Sequence, residues 1–339
     1  MASHSQPLLA SVRISRGLTQ DDLSSRSGIS QGIISRFETG ERRPDAGRSR
    51  ALAIALNTPE ELLWTPRPEG SILHTLRRSL PATSVNLLHA QVELAAVHVG
   101  KLIPGWQRWY PAAPGKERPL TAAGWARWLR GHWDVPAGPV HSVVKTLENH
   151  DIVCVGRPLA TVKTAAIGLW ADHPIVFVGS EATRLERRFA LAHELGHAVM
   201  HAGRSPRAEH EADEFAYEFL LPGDQVRAEL RGVSATGLLD LEARWGVAAG
   251  HLTRRAVQLR TISPTARRKL TSIIATTDFD PVQHPTIERP ARIATTVRDR
   301  VRAGESPSVI AALALLDPGT LRASYLAGAE ARTQQRTAG

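Results

Sequence analysis

The 339-residue chain is 42% hydrophobic and 22% charged, long enough for two or three domains that each bury a core. Its one cysteine, Cys154, excludes an internal disulfide and any thiolate metal cluster. The net charge of +9 suits a nucleic-acid partner, but residues 1–60 hold eight Arg against six acids, so local motifs and not bulk charge must identify a DNA-binding segment. No apolar run reaches membrane-spanning length, and the first residues lack the apolar core of a signal peptide. The expectation is a cytoplasmic protein with no membrane partner.

From Leu8 to Leu63, apolar positions recur at helical spacing and predict four or five short helices. Gly17 closes the first, Thr19 with Asp22 makes a capping box for the second, and Gly28 turns the chain. Ser30 is expected to cap the third helix, Gly40 to end it and Pro44 to start the next. The third helix should bury Ile33, Ile34 and Phe37 and expose Gln31, Ser35 and Arg36, of which Gln and Arg can bond bidentately to purine edges. Gln20, Arg42 and Arg43 suit phosphates. The stretch LTQDDLSSRSGISQGIISRFETGERRP resembles the XRE, or phage-repressor-like, helix-turn-helix family. That resemblance implies double-stranded operator DNA as a partner and a homodimer on it.

A helical connector is expected over 65–139, with helical patterning from Ile72 to His98 and then a Pro/Gly/Trp-rich stretch of obscure structure. Its tryptophans at 106, 109, 125, 128 and 133 read as core. A helix is predicted from His141 to Asn149, then three strands in DIVCVG, AAIGLW and PIVFVG. PIVFVG is expected at a sheet edge, where an extended peptide could pair with it. Helices follow over 185–201 and 206–221, the second capped by Ser205 with Pro206 at its first position. The remainder reads as helical, with loops at Ser263-Pro264 and around 280–290 and a frayed tail.

The stretch FALAHELGHAVMH holds His193-Glu194-x-x-His197. Two histidines four apart on a helix project from one face and can bind one ion; the glutamate between them is placed as a base, not a ligand. The next helix supplies a third ligand. If the two helices run antiparallel, Glu209 lies level with His197, and Asp213 lies level with His193 as its hydrogen-bond acceptor. Glu214 is the alternative ligand; Glu211 is expected at the surface, and His201 to pack or line the cleft. His210 and Tyr217 stay open as donors to a substrate carbonyl.

FALAHELGHAVMH followed by EHEADEFAYEFLLP resembles the ImmA/IrrE zinc metallopeptidases, with Glu209 on that family's metal-binding position and Asp213 on its supporting one. The expected fold is α+β, mostly α: an all-α helix-turn-helix bundle (1–64), the connector (65–139), a gluzincin-like core of small sheet plus HExxH helix (140–262) and a helical C-terminal region (263–339). The implied function is a DNA-binding regulator carrying a zinc endopeptidase that cleaves a helix-turn-helix repressor or itself, in stress response or mobile-element transfer. The alternatives are a transcription factor whose metal-binding domain senses without proteolysis, and an antitoxin-like DNA-binding protein.

Overall fold

The computed structural model describes residues 6–68, 71–73, 81–103, 121–157, 166–170, 174–179, 182–201, 206–276 and 288–326. The chain forms two compact units: Met1–Ile72, Leu76–Gln107 and Ala291–Gly339 make the first, Leu73–Thr75 and Arg108–Pro290 the second.

The first unit begins with α1 (Leu9–Ser15), α2 (Gln20–Ser27), α3 (Gln31–Thr39), α4 (Ala46–Ala55) and α5 (Glu60–Trp64). The Thr19/Asp22 capping box is present, and Gly28 and Gly40 end α2 and α3 with left-handed φ of 70 and 79°. Ser30 holds the N-cap position of α3 without a side-chain cap bond. Asp45, not Pro44, starts α4, its carboxylate accepting from the Arg48 N–H. Leu8, Leu9, Val12, Leu23, Ile34, Phe37, Leu52 and Leu63 are buried together. Ile33 is only half-buried.

The long helix α6 (Ala82–Leu102) packs on α1, and its Leu94 and Val97 touch this core. It begins after Pro81, whereas Ile72 lies in a short strand, β1 (Ser71–Leu73), so the helical pattern read from Ile72 starts ten residues late. The C-terminal helices Arg292–Arg302 and Pro307–Leu313 also pack on α6, and His98 Nδ1 lies 2.7 Å from the Ala314 carbonyl. The segment read as one connector is thus divided: α6 belongs to the first unit, α7 (Ala122–His132) to the second. Trp125 and Trp133 are buried there; Trp106 and Trp109 lie outside the described residues, as do most of the 280–290 loop and the tail.

In the second unit, α8 (Val143–Asn149) precedes β2 (Val153–Arg157), β3 (Ala166–Trp170) and β4 (Ile175–Gly179), so all three predicted strands form. The sheet order is β1-β3-β4-β2. β4 pairs parallel with β2 and antiparallel with β3, so its backbone bonds are taken on both sides and the expectation that PIVFVG forms an edge is wrong. All five β4 residues are buried, as befits a central strand.

Behind the sheet come α9 (Arg184–Met200) and α10 (Ala208–Leu220), then α11 (Gly223–Val226), α12 (Ala235–Trp245), α13 (Ala249–Gln258) and α14 (Pro264–Thr276). α9 is fixed at its start by a Thr183/Glu186 capping box and along its length by Arg188, which is 1% exposed. Arg188 bonds Oε1 of Glu288 at 2.5 Å and the Val140 carbonyl at 2.6 Å. The same carboxylate accepts from the N–H groups of Val143 and Val144, tying α8 to α9. α10 begins at Ala208 with Arg207 at the N-cap, so Pro206 is not its first helical residue; Ser205 lies outside the described residues. Arg130 of α7 donates to the Phe219 carbonyl at 2.6 Å and holds the far end of α10.

Candidate metal centre and DNA-facing helix

Helices α9 and α10 run antiparallel in a register legible from three levels. Phe189 meets Tyr217 (ring centroids 4.9 Å), His193 meets Asp213, and His197 meets Glu209. Close approach is helped by Gly196: a β-carbon there would lie 3.1 Å from the Phe215 side chain, tighter than ordinary contact. His193, Glu194 and His197 are all at least 95% buried, and both histidines meet carboxylates of α10.

Ligand-type atoms of His193, His197 and Glu209 lie within 4.8 Å of one another. The two Nε2 atoms are 3.0 Å apart, and the Glu209 carboxylate turns one oxygen to each ring, 3.6 Å from His193 and 3.4 Å from His197. Donors on a tetrahedral ion with bonds of about 2.0–2.1 Å are separated by roughly 3.3 Å, so this set fits a zinc ion. The remaining nitrogens face away from the donor triangle. Nδ1 of His193 lies 2.8 Å from Oδ1 of Asp213, and Nδ1 of His197 lies 3.1 Å from Nδ1 of His201.

Two imidazoles this close do not both take a proton. Burial, then the charge of His193, holds the pKa of His197 down to about 4. Burial also opposes charge on His193, but its hydrogen bond to Asp213 and the nearby Glu209 and Glu194 carboxylates outweigh it, pushing its pKa up to about 9.

Other acids and donors sort themselves by position. The alternative ligand Glu214 is paired with exposed His210 (3.5 Å) and is not part of the donor group. Tyr217 is 3% exposed, its hydroxyl 3.0 Å from Nδ1 of His251, whose ring stacks on Phe189 at 3.7 Å. His251, on α13, carried no sequence signal. Glu211, expected at the surface, keeps 38% of its side chain exposed and also meets Nε2 of His201 at 3.0 Å.

In the first unit, α3 exposes Gln31 and Arg36 and half-buries Ser35, while Arg42 and Arg43 lie exposed in the turn that follows. Beneath them Glu38, 7% exposed, accepts from Nε of Arg13 at 2.6 Å and from the Gln20 amide at 2.7 Å. The Gln20 oxygen in turn accepts from the Gln31 amide at 2.6 Å. Gln20 is therefore a bridge between the buried Arg13–Glu38 pair and the outer face of α3.

Residues 147–256 match the IrrE N-terminal-like domain family, and residues 9–63 match a helix-turn-helix family. An uncharacterised HTH-type transcriptional regulator of Sinorhizobium fredii (strain NBRC 101917 / NGR234) is 40% identical over 60 residues, 18% of this chain and 78% of that relative.

Proposed function

Because the chain belongs to the helix-turn-helix transcriptional regulators and joins to that module an IrrE-like peptidase domain, we propose that it is a DNA-binding regulator with an active zinc endopeptidase, hydrolysing a peptide bond in a repressor-type partner or in itself. The observation that carries the peptidase reading is the convergence of His193, His197 and Glu209 beside a buried glutamate, Glu194.

Zinc, when bound there, supplies Lewis acidity, lowering the pKa of a water molecule and polarising a carbonyl. His193 and His197 present Nε2 because their Nδ1 atoms are engaged on the opposite side. Glu209 contributes the negative charge of the donor set. Glu194 is one residue after His193 and 1% exposed; it takes a proton from the attacking water and delivers it to the leaving amine. Its burial favours that exchange by excluding competing bulk water.

On the DNA side, Gln31, Ser35 and Arg36 are the base-reading residues and Gln20, Arg42 and Arg43 the phosphate contacts. The Gln20–Gln31 bond fixes the amide of Gln31, so readout by α3 does not have to order that side chain on binding. A homodimer on a palindromic operator is the assembly such a module uses.

The test uses purified full-length protein and Glu194→Gln. Zinc at about one equivalent in both, with cleavage of repressor-type proteins encoded nearby lost only in the variant, is the expected outcome. Equal inertness of the two with zinc bound would replace catalysis by metal sensing.

A further inference from the structure

Beyond the proposed ligands, two polar side chains pair at the end of α9: His201 and Glu211. His201 is the residue at which α9 ends. Its N–H still donates to the His197 carbonyl at 2.9 Å, but its ψ of 104° turns the chain off the helix. Its side chain, 7% exposed, lies back against His197 with ring centroids 5.2 Å apart. Nδ1 faces Nδ1 at 3.1 Å, and the far nitrogen, Nε2, meets Oε2 of Glu211 at 3.0 Å.

Hydrogen bookkeeping gives this chain one direction. The Glu211 carboxylate accepts, so Nε2 of His201 carries hydrogen; a His197 ring that presents its Nε2 lone pair to an ion keeps its hydrogen on Nδ1, so the facing Nδ1 of His201 is the acceptor. Nδ1 of His197 is then the donor. That leaves the Nε2 lone pair of His197 directed at the triangle it shares with His193 and Glu209. We infer that His201 and Glu211 are positioning residues that fix the tautomer and tilt of His197, as Asp213 does for His193; this rests on the metal-centre reading.

The two supports differ in kind. Asp213 reaches His193 directly, whereas His197 is held by the His201 ring, whose own anchor, Glu211, is 38% exposed. The donor set therefore has one ring tied inside the helix pair and one tied to the rim by a two-step relay. Weakening the rim should loosen metal binding without disturbing the core between α9 and α10.

The experiment measures zinc affinity by competition with a chromophoric chelator, and melting of the chelated proteins, for wild type, His201→Phe, His201→Asn and Glu211→Ala. His201→Phe keeps a ring but removes the acceptor and is expected to weaken zinc binding about 10- to 100-fold. Glu211→Ala shifts it in the same direction by less. His201→Asn, whose side-chain oxygen can stand where Nδ1 stood, recovers most of the affinity. Unchanged affinity in His201→Phe, or His201→Asn as weak as His201→Phe, overturns the inference while leaving the metal centre intact. If His201→Phe does not fold, unchanged affinity in Glu211→Ala overturns it instead. Wild-type protein that takes up no zinc removes the metal reading and this inference with it.

Discussion

His193 donates its Nδ1–H to Oδ1 of Asp213 across 2.8 Å, bridging two antiparallel helices one turn from the level at which His197 faces Glu209. This bond sets which nitrogen of His193 is left for an ion. Replacing Asp213 by alanine frees the ring to rotate and to change tautomer, so zinc affinity should fall about 10- to 100-fold with the fold preserved. Chelator competition reads this directly, and an Asp213→Ala protein with wild-type affinity would show that the bond has no part in metal binding.

Gly196 of α9 faces the Phe215 side chain of α10 at close range. A methyl group there would sit 3.1 Å from Cβ, Cγ and Cδ1 of Phe215, whose side chain is fully buried and stacked on Phe219. Gly196→Ala therefore overpacks the interface, and a loss of about 1–3 kcal/mol is expected on denaturant unfolding. An unchanged or higher stability would mean that Phe215 can yield without cost.

Much of this site is legible in the sequence because its determinants are local. Thr183 with Glu186 announces the start of α9, and a four-residue histidine spacing puts both rings on one face; the antiparallel register then selects Glu209 over Glu214. What was missed is non-local or depends on where a helix stops. The interior place of β4 follows from its pairing with β2 on one side and β3 on the other, which strand composition does not encode. The angle of Glu211 on α10 gives its partly exposed position but not its contact with His201, because that ring reaches it only where α9 leaves helical geometry. Glu288 finds Arg188 across 100 residues of chain, a separation over which sequence pattern carries no signal.

Among the described residues, that Arg188–Glu288 pair is the most deeply buried charge pair touching α9, with side chains 1% and 0% exposed. Its carboxylate also satisfies two N–H groups at the start of α8. Glu288→Leu leaves a buried guanidinium uncompensated and should cost about 3–5 kcal/mol. The double variant Arg188→Met, Glu288→Leu removes both charges and should recover part of that loss. Urea denaturation of the two variants checks this; equal stability of single and double variants would contradict it.

The capping box at the start of α2 gives a pH dependence confined to the first unit. The Thr19 hydroxyl and N–H both donate to Asp22, at 2.6 and 2.8 Å, and these bonds hold its carboxyl below the ordinary range. A folded-state pKa below the unfolded one means the stabilisation is complete above about pH 4 and is lost as pH falls through the lowered value. The melting temperature of wild type should exceed that of Asp22→Asn at neutral pH. The gap should narrow in acid, and a gap independent of pH would assign the effect to packing.

On the proposed reading, the outer face of α3 and the turn after it make two kinds of DNA contact. Gln31 is exposed, yet its amide is already bonded to Gln20, which is anchored on the buried Glu38. Gln31→Ala should therefore cost about 1–3 kcal/mol on the cognate operator and relax the preference at one base pair, with the salt dependence unchanged. Arg43, exposed beyond α3, should behave differently: Arg43→Ala weakens binding to all sequences alike and lowers the slope of log affinity against log salt by about 1. Titrations on operator and on scrambled DNA at several salt concentrations resolve the two. If Gln31→Ala loses affinity equally on both DNAs, α3 is not the reading helix, and the base contacts must come from elsewhere in the first unit.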